Sequence, residues 1–132
     1  MTLTADQVFD AVIALMFAED AEKGDYQVNF MRHLNMKLAE SFKVNNSLRR
    51  MRGLEDLEEV PRITLLTDEV PYEYELTYDL LPVGVAGYLY VDDDETGISN
   101  EYRARWTTGL ASIGQAEFAE VLPDGYYSTD TL

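Results

Sequence analysis

The residues of this chain with the clearest chemical potential form a run of four consecutive carboxylates. They are Asp92, Asp93, Asp94 and Glu95. Alternating oxygen ligands near a glycine are typical of calcium loops, and paired carboxylates are typical of acid–base catalysis in hydrolases. The third interpretation is a solvated loop that ends one helix and favours the positive end of the next helix dipole.

The pattern around this run favours the loop. A twelve-residue calcium loop that begins at Asp92 needs a glutamate at its last position, where the chain has Arg103. The chain has no cysteine, which excludes thiolate zinc sites and cysteine nucleophiles, and it has no G-x-S-x-G, phosphate-loop or H-E-x-x-H motif. Its single histidine, His33, is given no role. We therefore predict no catalytic residue, no metal ligand and no cofactor.

The charge of the chain excludes general binding to DNA. Its 132 residues carry a net charge of −15, which repels phosphates over a broad surface. The charge is regional, because residues 1–52 hold seven acids and seven bases whereas residues 53–102 hold fourteen acids and only Arg62. This polarity is typical of a protein that meets two differently charged environments.

A basic strip precedes the acidic half, and we define it as Lys43, Arg49, Arg50 and Arg52. Contact with nucleic acid is disfavoured by the acids that follow in the sequence. The strip is expected to form salt bridges, either with the acidic half of the same molecule or with a neighbouring copy. The contact with a neighbouring copy is the one we expect.

Helical periodicity dominates the first half of the chain. Thr4 and Gln7 have the spacing of a capping box, so the first helix should start near Ala5, and Gly24 should end it. Asp25 is a candidate N-cap for a second helix over residues 26–42, and residues 45–53 suggest a short helical turn. Residues 54–73 contain two prolines and a β-branched pair, which predicts an extended or strand-like segment.

The second half contains an apolar helix with two glycines. Leucines at helical spacing predict a helix over residues 72–91, which Pro82 should kink or divide. Gly84 and Gly87 leave a face almost without side chains, so another helix, from this chain or a neighbour, should pack closely there. Ser99 is expected to cap the last helix, which ends at residue 113.

The final residues, 115–132, are predicted to be an extended tail. They hold apolar side chains but no base, and too few apolar positions for a core of their own. The residues expected to contact the surface of another protein are Phe118, Val121, Leu122, Tyr126 and Tyr127. The fold class is thus mainly α: a small bundle of about four helices at residues 1–114, with an extended inner segment and the tail.

Residues 63–110 resemble the head-to-tail connector, or adaptor, proteins of tailed bacteriophages. The family pattern is an extended segment with an acidic turn, a leucine-proline-aromatic-glycine helix, an aspartate cluster and a helix with a tyrosine and an arginine. Leu81, Pro82 and Gly84 match that helix, with Val83 at the aromatic position; Tyr102 and Arg103 match the last helix.

The resemblance implies a structural virion protein rather than an enzyme. It implies a homo-oligomeric ring, commonly of about twelve copies, beneath the portal protein. The ring would join the portal to tail or stopper proteins and line a channel through which DNA passes as transient cargo. The protein would be made in the bacterial host cytoplasm and reside in the virion neck, and since neither a signal peptide nor a long apolar span is evident, no membrane contact is expected.

The alternative is an acidic regulatory protein that imitates DNA and inhibits a nucleic-acid enzyme. The net charge of −15 fits this class. A DNA mimic, however, needs carboxylates along one elongated face at phosphate-like spacing, whereas residues 1–52 are neutral and the acids flank apolar helices. A small hydrolase is a distant third interpretation.

Overall fold

The computed structural model describes residues 2–16 and 23–121, with side chains up to residue 115. The fold is mainly helical, as predicted, and the described part of the chain contains five α-helices and no β-strand. The helices are α1 (Ala5–Leu15), α2 (Lys23–Glu40), α3 (Phe42–Met51), α4 (Leu81–Asp92) and α5 (Thr96–Val121). A π-helical turn, Glu75–Leu80, leads into α4.

Helix α4 is the centre of the bundle. All residues from Leu81 to Gly87 are buried, and α1, α2 and α5 pack around them. A helix that is apolar on every side can be stable in water only when other elements cover it completely. The predicted helix over residues 72–91 is therefore confirmed in its type, and its start lies at the π-helical turn.

Pro82 explains the division of that helix. A proline lacks the backbone N–H, and its ring clashes with the carbonyl four residues before it, which is that of Tyr78. The helix is π-helical ahead of the proline, where the Leu81 N–H donates to the carbonyl of Leu76, five residues earlier. The prediction that Pro82 begins a second helical piece agrees with this geometry.

Helix α1 starts where its capping box predicts. The Gln7 N–H donates to the Thr4 hydroxyl at 3.3 Å, and the Thr4 N–H donates to the Gln7 side chain at 2.9 Å. Phe9 of α1 stacks on Phe30 of α2, with ring centroids 4.2 Å apart. The predicted end of this helix was wrong, since α1 stops at Leu15 and Gly24 lies in the first turn of α2.

The start of α2 and the length of α3 also differ from expectation. Asp25 lies in the first turn of α2 rather than at its N-cap, and the Lys23 ammonium beside Asp6 and Asp10, at 2.6 Å from each, ties this turn to α1. Burial by itself would lower the pKa of Lys23. The hydrogen bonds and the attraction of the two carboxylates have the larger combined effect, so the pKa is raised above its usual value. Residues 42–51 form a whole helix instead of a short turn.

Asparagine side chains take the place of a partner strand for the extended segment, residues 54–73. Asn35 donates to the Ile63 carbonyl at 2.9 Å and accepts from the Ile63 N–H at 2.8 Å. Asn46 does the same for Leu57, at 3.3 and 2.8 Å. Because a primary amide offers the same donor and acceptor as a peptide group, it satisfies buried backbone that would otherwise need a sheet.

The end of the extended segment is fixed to two helices. The Val70 N–H donates to the Leu3 carbonyl at 2.8 Å, beside an isolated bridge between Thr4 and Glu69. The buried Tyr72 hydroxyl donates to the Leu38 carbonyl at 2.5 Å, and burial raises the pKa of that hydroxyl well above its usual value. The segment contains no helix, and the described residues include no strand that pairs with it beyond the isolated Thr4–Glu69 bridge.

Replacing Asn35 with leucine is expected to lower the free energy of unfolding by about 2 kcal/mol, because the N–H and carbonyl of Ile63 lose their partners. Gln27→Leu is the matched control, since Gln27 is an exposed amide on the same helix. Urea denaturation followed by circular dichroism measures both. Equal unfolding midpoints for the two variants would show that the amide does not hold the segment.

Helix α5 begins before Ser99 and ends beyond the predicted boundary. It runs from Thr96 to Val121, so Ser99 lies inside its first turn. The backbone of residues 115–121 is helical rather than extended, because this stretch contains neither glycine nor proline and the next proline is Pro123. Residues 122–132 of the tail lie outside the described residues.

Candidate interaction surfaces

The two glycines of α4 face helix α5 of the same chain. A Cβ atom built on Gly84 would lie 2.7 Å from Cε3 of Trp106, and one on Gly87 would lie 3.2 Å from the side chains of Tyr102 and Arg103. Pro82, two residues before Gly84, is also buried. The close packing expected from the sequence is thus an intramolecular contact between α4 and α5.

Gly109 makes a similar contact from α5. A Cβ atom there would lie 2.5 Å from the Leu80 side chain. Gly109 had no predicted role, although a glycine within the predicted last helix was a usable signal. Glycines of α4 therefore let α5 approach α4, and Gly109 of α5 lets it approach the end of the π-helical turn.

The acidic loop, Asp92–Glu95, connects α4 with α5. Asp92 is the last residue of α4, Asp94 adopts a left-handed conformation with φ of 60°, and all four side chains are exposed. Two of these acids contact α2: Asp93 accepts a hydrogen bond from the Tyr26 hydroxyl at 2.8 Å, and Asp92 lies 3.2 Å from His33 Nε2. His33 therefore has a structural contact that the sequence did not indicate.

No metal centre can be assigned to this loop. Across residues 2–16 and 23–121, no three histidine or carboxylate side chains come together in an arrangement that could hold a metal ion. The exposed backbone turn is the geometry expected of a loop that ends one helix and precedes the next.

The basic strip forms salt bridges with acids of the same molecule. Arg52 donates to Glu73 at 2.8 Å and to Glu75, and the hydrogen bond with Glu75 raises the pKa of the guanidinium. Arg50 lies 2.7 Å from Asp56, and Arg49 lies 3.9 Å from Glu73.

These pairs correspond to the intramolecular alternative for the strip. Lys43 is exposed and has no ion pair among the residues that the structure describes. Contact of the basic strip with a neighbouring copy remains a prediction. Within the described part of the chain, Lys43 is the cation of the strip that has no carboxylate partner.

The predicted partner contacts of the tail remain predictions as well. The backbone of Phe118 and Val121 belongs to α5, but the structure describes side chains only up to residue 115. Leu122, Tyr126 and Tyr127 also lie outside the described residues.

A buried lysine is the main feature that the sequence analysis missed. The Lys37 side chain is only 1% exposed, and its ammonium donates to both carboxylate oxygens of Glu40, at 2.9 and 3.0 Å. The ammonium lies 3.8 Å from the ring centroid of Tyr88 and 5.4 Å from that of Trp106. Trp106 also donates its indole N–H to Glu40 at 3.1 Å. The signal was present, because Lys37 follows Leu34 by three positions within the apolar stripe of α2.

This cluster forms one wall of a groove of about 490 Å³ between α2, α3 and α5, which we call the lysine groove. Its charged side chains are Lys37, Glu40 and Arg103, and its outer part is apolar. Because the lysine and the glutamate already satisfy each other, the cluster acts as a structural support for α5 rather than as a free reactive amine.

A second groove of about 490 Å³ lies between α1, the π-helical turn with α4, and α5. We call it the tyrosine groove, since Tyr78 and Tyr102 line it together with small and apolar residues. Tyr78 is 52% exposed. The remaining lining residues are Ala11, Ala14, Leu15, Asp79, Pro82, Val83 and Arg105.

A third groove of about 610 Å³ runs between α2 and the extended segment, and we call it the arginine groove. Its charged lining residues are Arg32 and Arg62, and no carboxylate lines it. The remaining lining residues are Met31, Asn35, Met36, Ala39, Ile63 and Thr64.

Comparison of the chain with protein-family models, with curated proteins and with solved structures finds no match. The helices at residues 2–16 and 23–121 include none that is both long and apolar enough to cross a membrane. The surfaces described above therefore provide the structural basis for a functional proposal.

Proposed function

We propose that this protein is a ring-forming adaptor of a tailed bacteriophage, which joins the portal to tail or stopper proteins and surrounds a channel for DNA. Its place is the neck of the virion, after synthesis in the host cytoplasm. The proposal assigns the chain a structural role, with portal protein and further copies of itself as partners.

The observation that carries the proposal is the presence of separate grooves on different parts of the bundle. The tyrosine groove and the arginine groove share no lining residue. A head-to-tail ring requires two different surfaces on each subunit, one for each neighbour, whereas a two-fold dimer reuses a single surface. Apolar grooves edged by charged side chains are suited to such contacts.

The charge distribution supports passage of DNA without binding. The acidic loop is exposed at one end of α4, and three arginines of the basic strip are already paired with acids. Fixed negative charge repels phosphate, so a channel lined by such loops would let DNA move without adhering to the wall.

Electron microscopy of the purified chain mixed with its portal protein tests the proposal. We expect rings stacked on the portal, and co-sedimentation of the two proteins. Ala14→Arg should abolish the ring, because it places a long charged side chain in the tyrosine groove. Ala104→Arg is the matched control, since Ala104 is exposed on α5 and lines none of the three grooves.

Two results would contradict the adaptor. One is a chain that neither forms rings nor co-sediments with the portal. The other is recovery of DNA-processing enzymes, instead of virion proteins, when the tagged chain is used for a pull-down; that result would favour the acidic DNA mimic.

A further inference from the structure

The arginine groove is unusual because its cations have no carboxylate partner in the described part of the chain. The chain has 25 acids and 10 bases, yet neither Arg32 nor Arg62 forms an ion pair within the residues that the structure describes. Arg32 donates to the neutral Asn29 side chain, at 2.7 Å. Both arginines are exposed at the groove. Among the described residues, no carboxylate neutralises either charge.

The walls of the groove are suited to a peptide with apolar side chains. Arg32, Asn35, Met36 and Ala39 lie on one face of α2, because residues 35 and 36 each stand three or four positions from both Arg32 and Ala39, and Met36 is 44% exposed. Methionine adapts its shape to varied partners. The opposite wall is held in place, because Asn35 fixes both backbone polar groups of Ile63.

The tail has the complementary composition. Residues 115–132 contain four acids and no base. Their last part, residues 122–132, places Asp124 and Asp130 on either side of the adjacent Tyr126 and Tyr127. Two carboxylates and two aromatic rings match the two arginines and the methionine surface of the groove in sign and in character.

We propose that residues 122–132 of one copy dock in the arginine groove of the next copy. Asp124 and Asp130 pair with Arg32 and Arg62, while the tyrosines pack on the methionines. This inference rests on the ring assembly proposed above, and it assigns one of the two subunit surfaces to a specific segment of the neighbouring chain.

Charge reversal in the full chain tests the docking. The groove variant R32E/R62E and the tail variant D124R/D130R should each weaken self-association by about tenfold or more, measured by light scattering over a concentration series. The variant that combines all four changes should regain it, because the charges are again opposite. The tail control is E69R/E101R, which makes the same charge change at exposed positions outside the tail and the grooves.

A photo-crosslink locates the segment. Tyr127→p-benzoylphenylalanine should crosslink to Met31 or Met36, and a mixture of isotopically heavy and light chains should show the link between copies. The crosslink should be lost in the R32E/R62E background. A crosslink within one chain would overturn the proposal. So would wild-type protein that stays monomeric at about 100 µM, because a specific contact between copies should be populated at that concentration.

The test separates this inference from the adaptor function. If R32E/R62E or D124R/D130R self-associates as the wild type does, the docking is overturned; binding to the portal by the same variant would leave the adaptor intact. If the reversals behave as expected but wild-type rings never bind portal, the docking stands and the adaptor function falls.

Discussion

Replacing Gly84 with leucine is expected to destabilise the fold by about 3 kcal/mol or more, because the new side chain has no space between α4 and α5. Even a methyl group at this position would lie 2.7 Å from Cε3 and 2.9 Å from Cδ2 of Trp106. The indole is 4% exposed and is hydrogen-bonded to Glu40 at 3.1 Å, so it cannot swing aside at low cost. On the other side, Cδ of Lys37 would be 3.3 Å away.

Gly97→Leu is the matched control for this prediction. Gly97 is also helical, in the first turn of α5, and nothing lies within 4 Å of a Cβ built there. Since leucine is a better helix former than glycine, this variant should be neutral or slightly more stable. Asp93→Asn, in the acidic loop, should have a small effect. Urea denaturation followed by circular dichroism compares the three, and similar midpoints for both glycine variants would show that the close approach is not required.

Replacing Glu40 with alanine is expected to destabilise the protein by about 1–3 kcal/mol, because it leaves a buried ammonium without its carboxylate. Lys37 is 1% exposed, whereas Glu40 is 42% exposed, so solvent screens the glutamate but cannot replace it at the lysine. The indole N–H of Trp106 loses its acceptor in the same variant. The remaining favourable contact of the ammonium is with the aromatic rings.

Lys37→Met provides the comparison that identifies the cause. It removes the charge but keeps a flexible apolar chain of similar length, so it should cost less than Glu40→Ala. Glu101→Ala is the control for removing an exposed acid from a helix. The measurement is the free energy of unfolding in urea at neutral pH. If Lys37→Met is the more damaging of the two, the ion pair and the cation–π contacts contribute more than the burial of the charge costs.

Local patterns in the sequence determined the helices and their apolar faces. The Thr4–Gln7 box defined the start of α1, because capping uses residues three positions apart and needs no tertiary contact. Leucines at helical spacing predicted the helix before Asp92, and its burial on all sides became evident only in the structure. The two prolines and the β-branched pair were sufficient to predict an extended segment.

The partners of these elements were decided by the tertiary structure. The sequence shows that Gly84 and Gly87 expose backbone, but only the fold places α5 of the same chain there. The sequence offered two partners for Arg52, and folding brought Glu73 and Glu75 within reach although they are more than 20 residues away along the chain. The position of Lys37 in the apolar stripe of α2 can be read from the sequence, but the two aromatic rings and the carboxylate that surround it come from three helices, and only the fold brings them together.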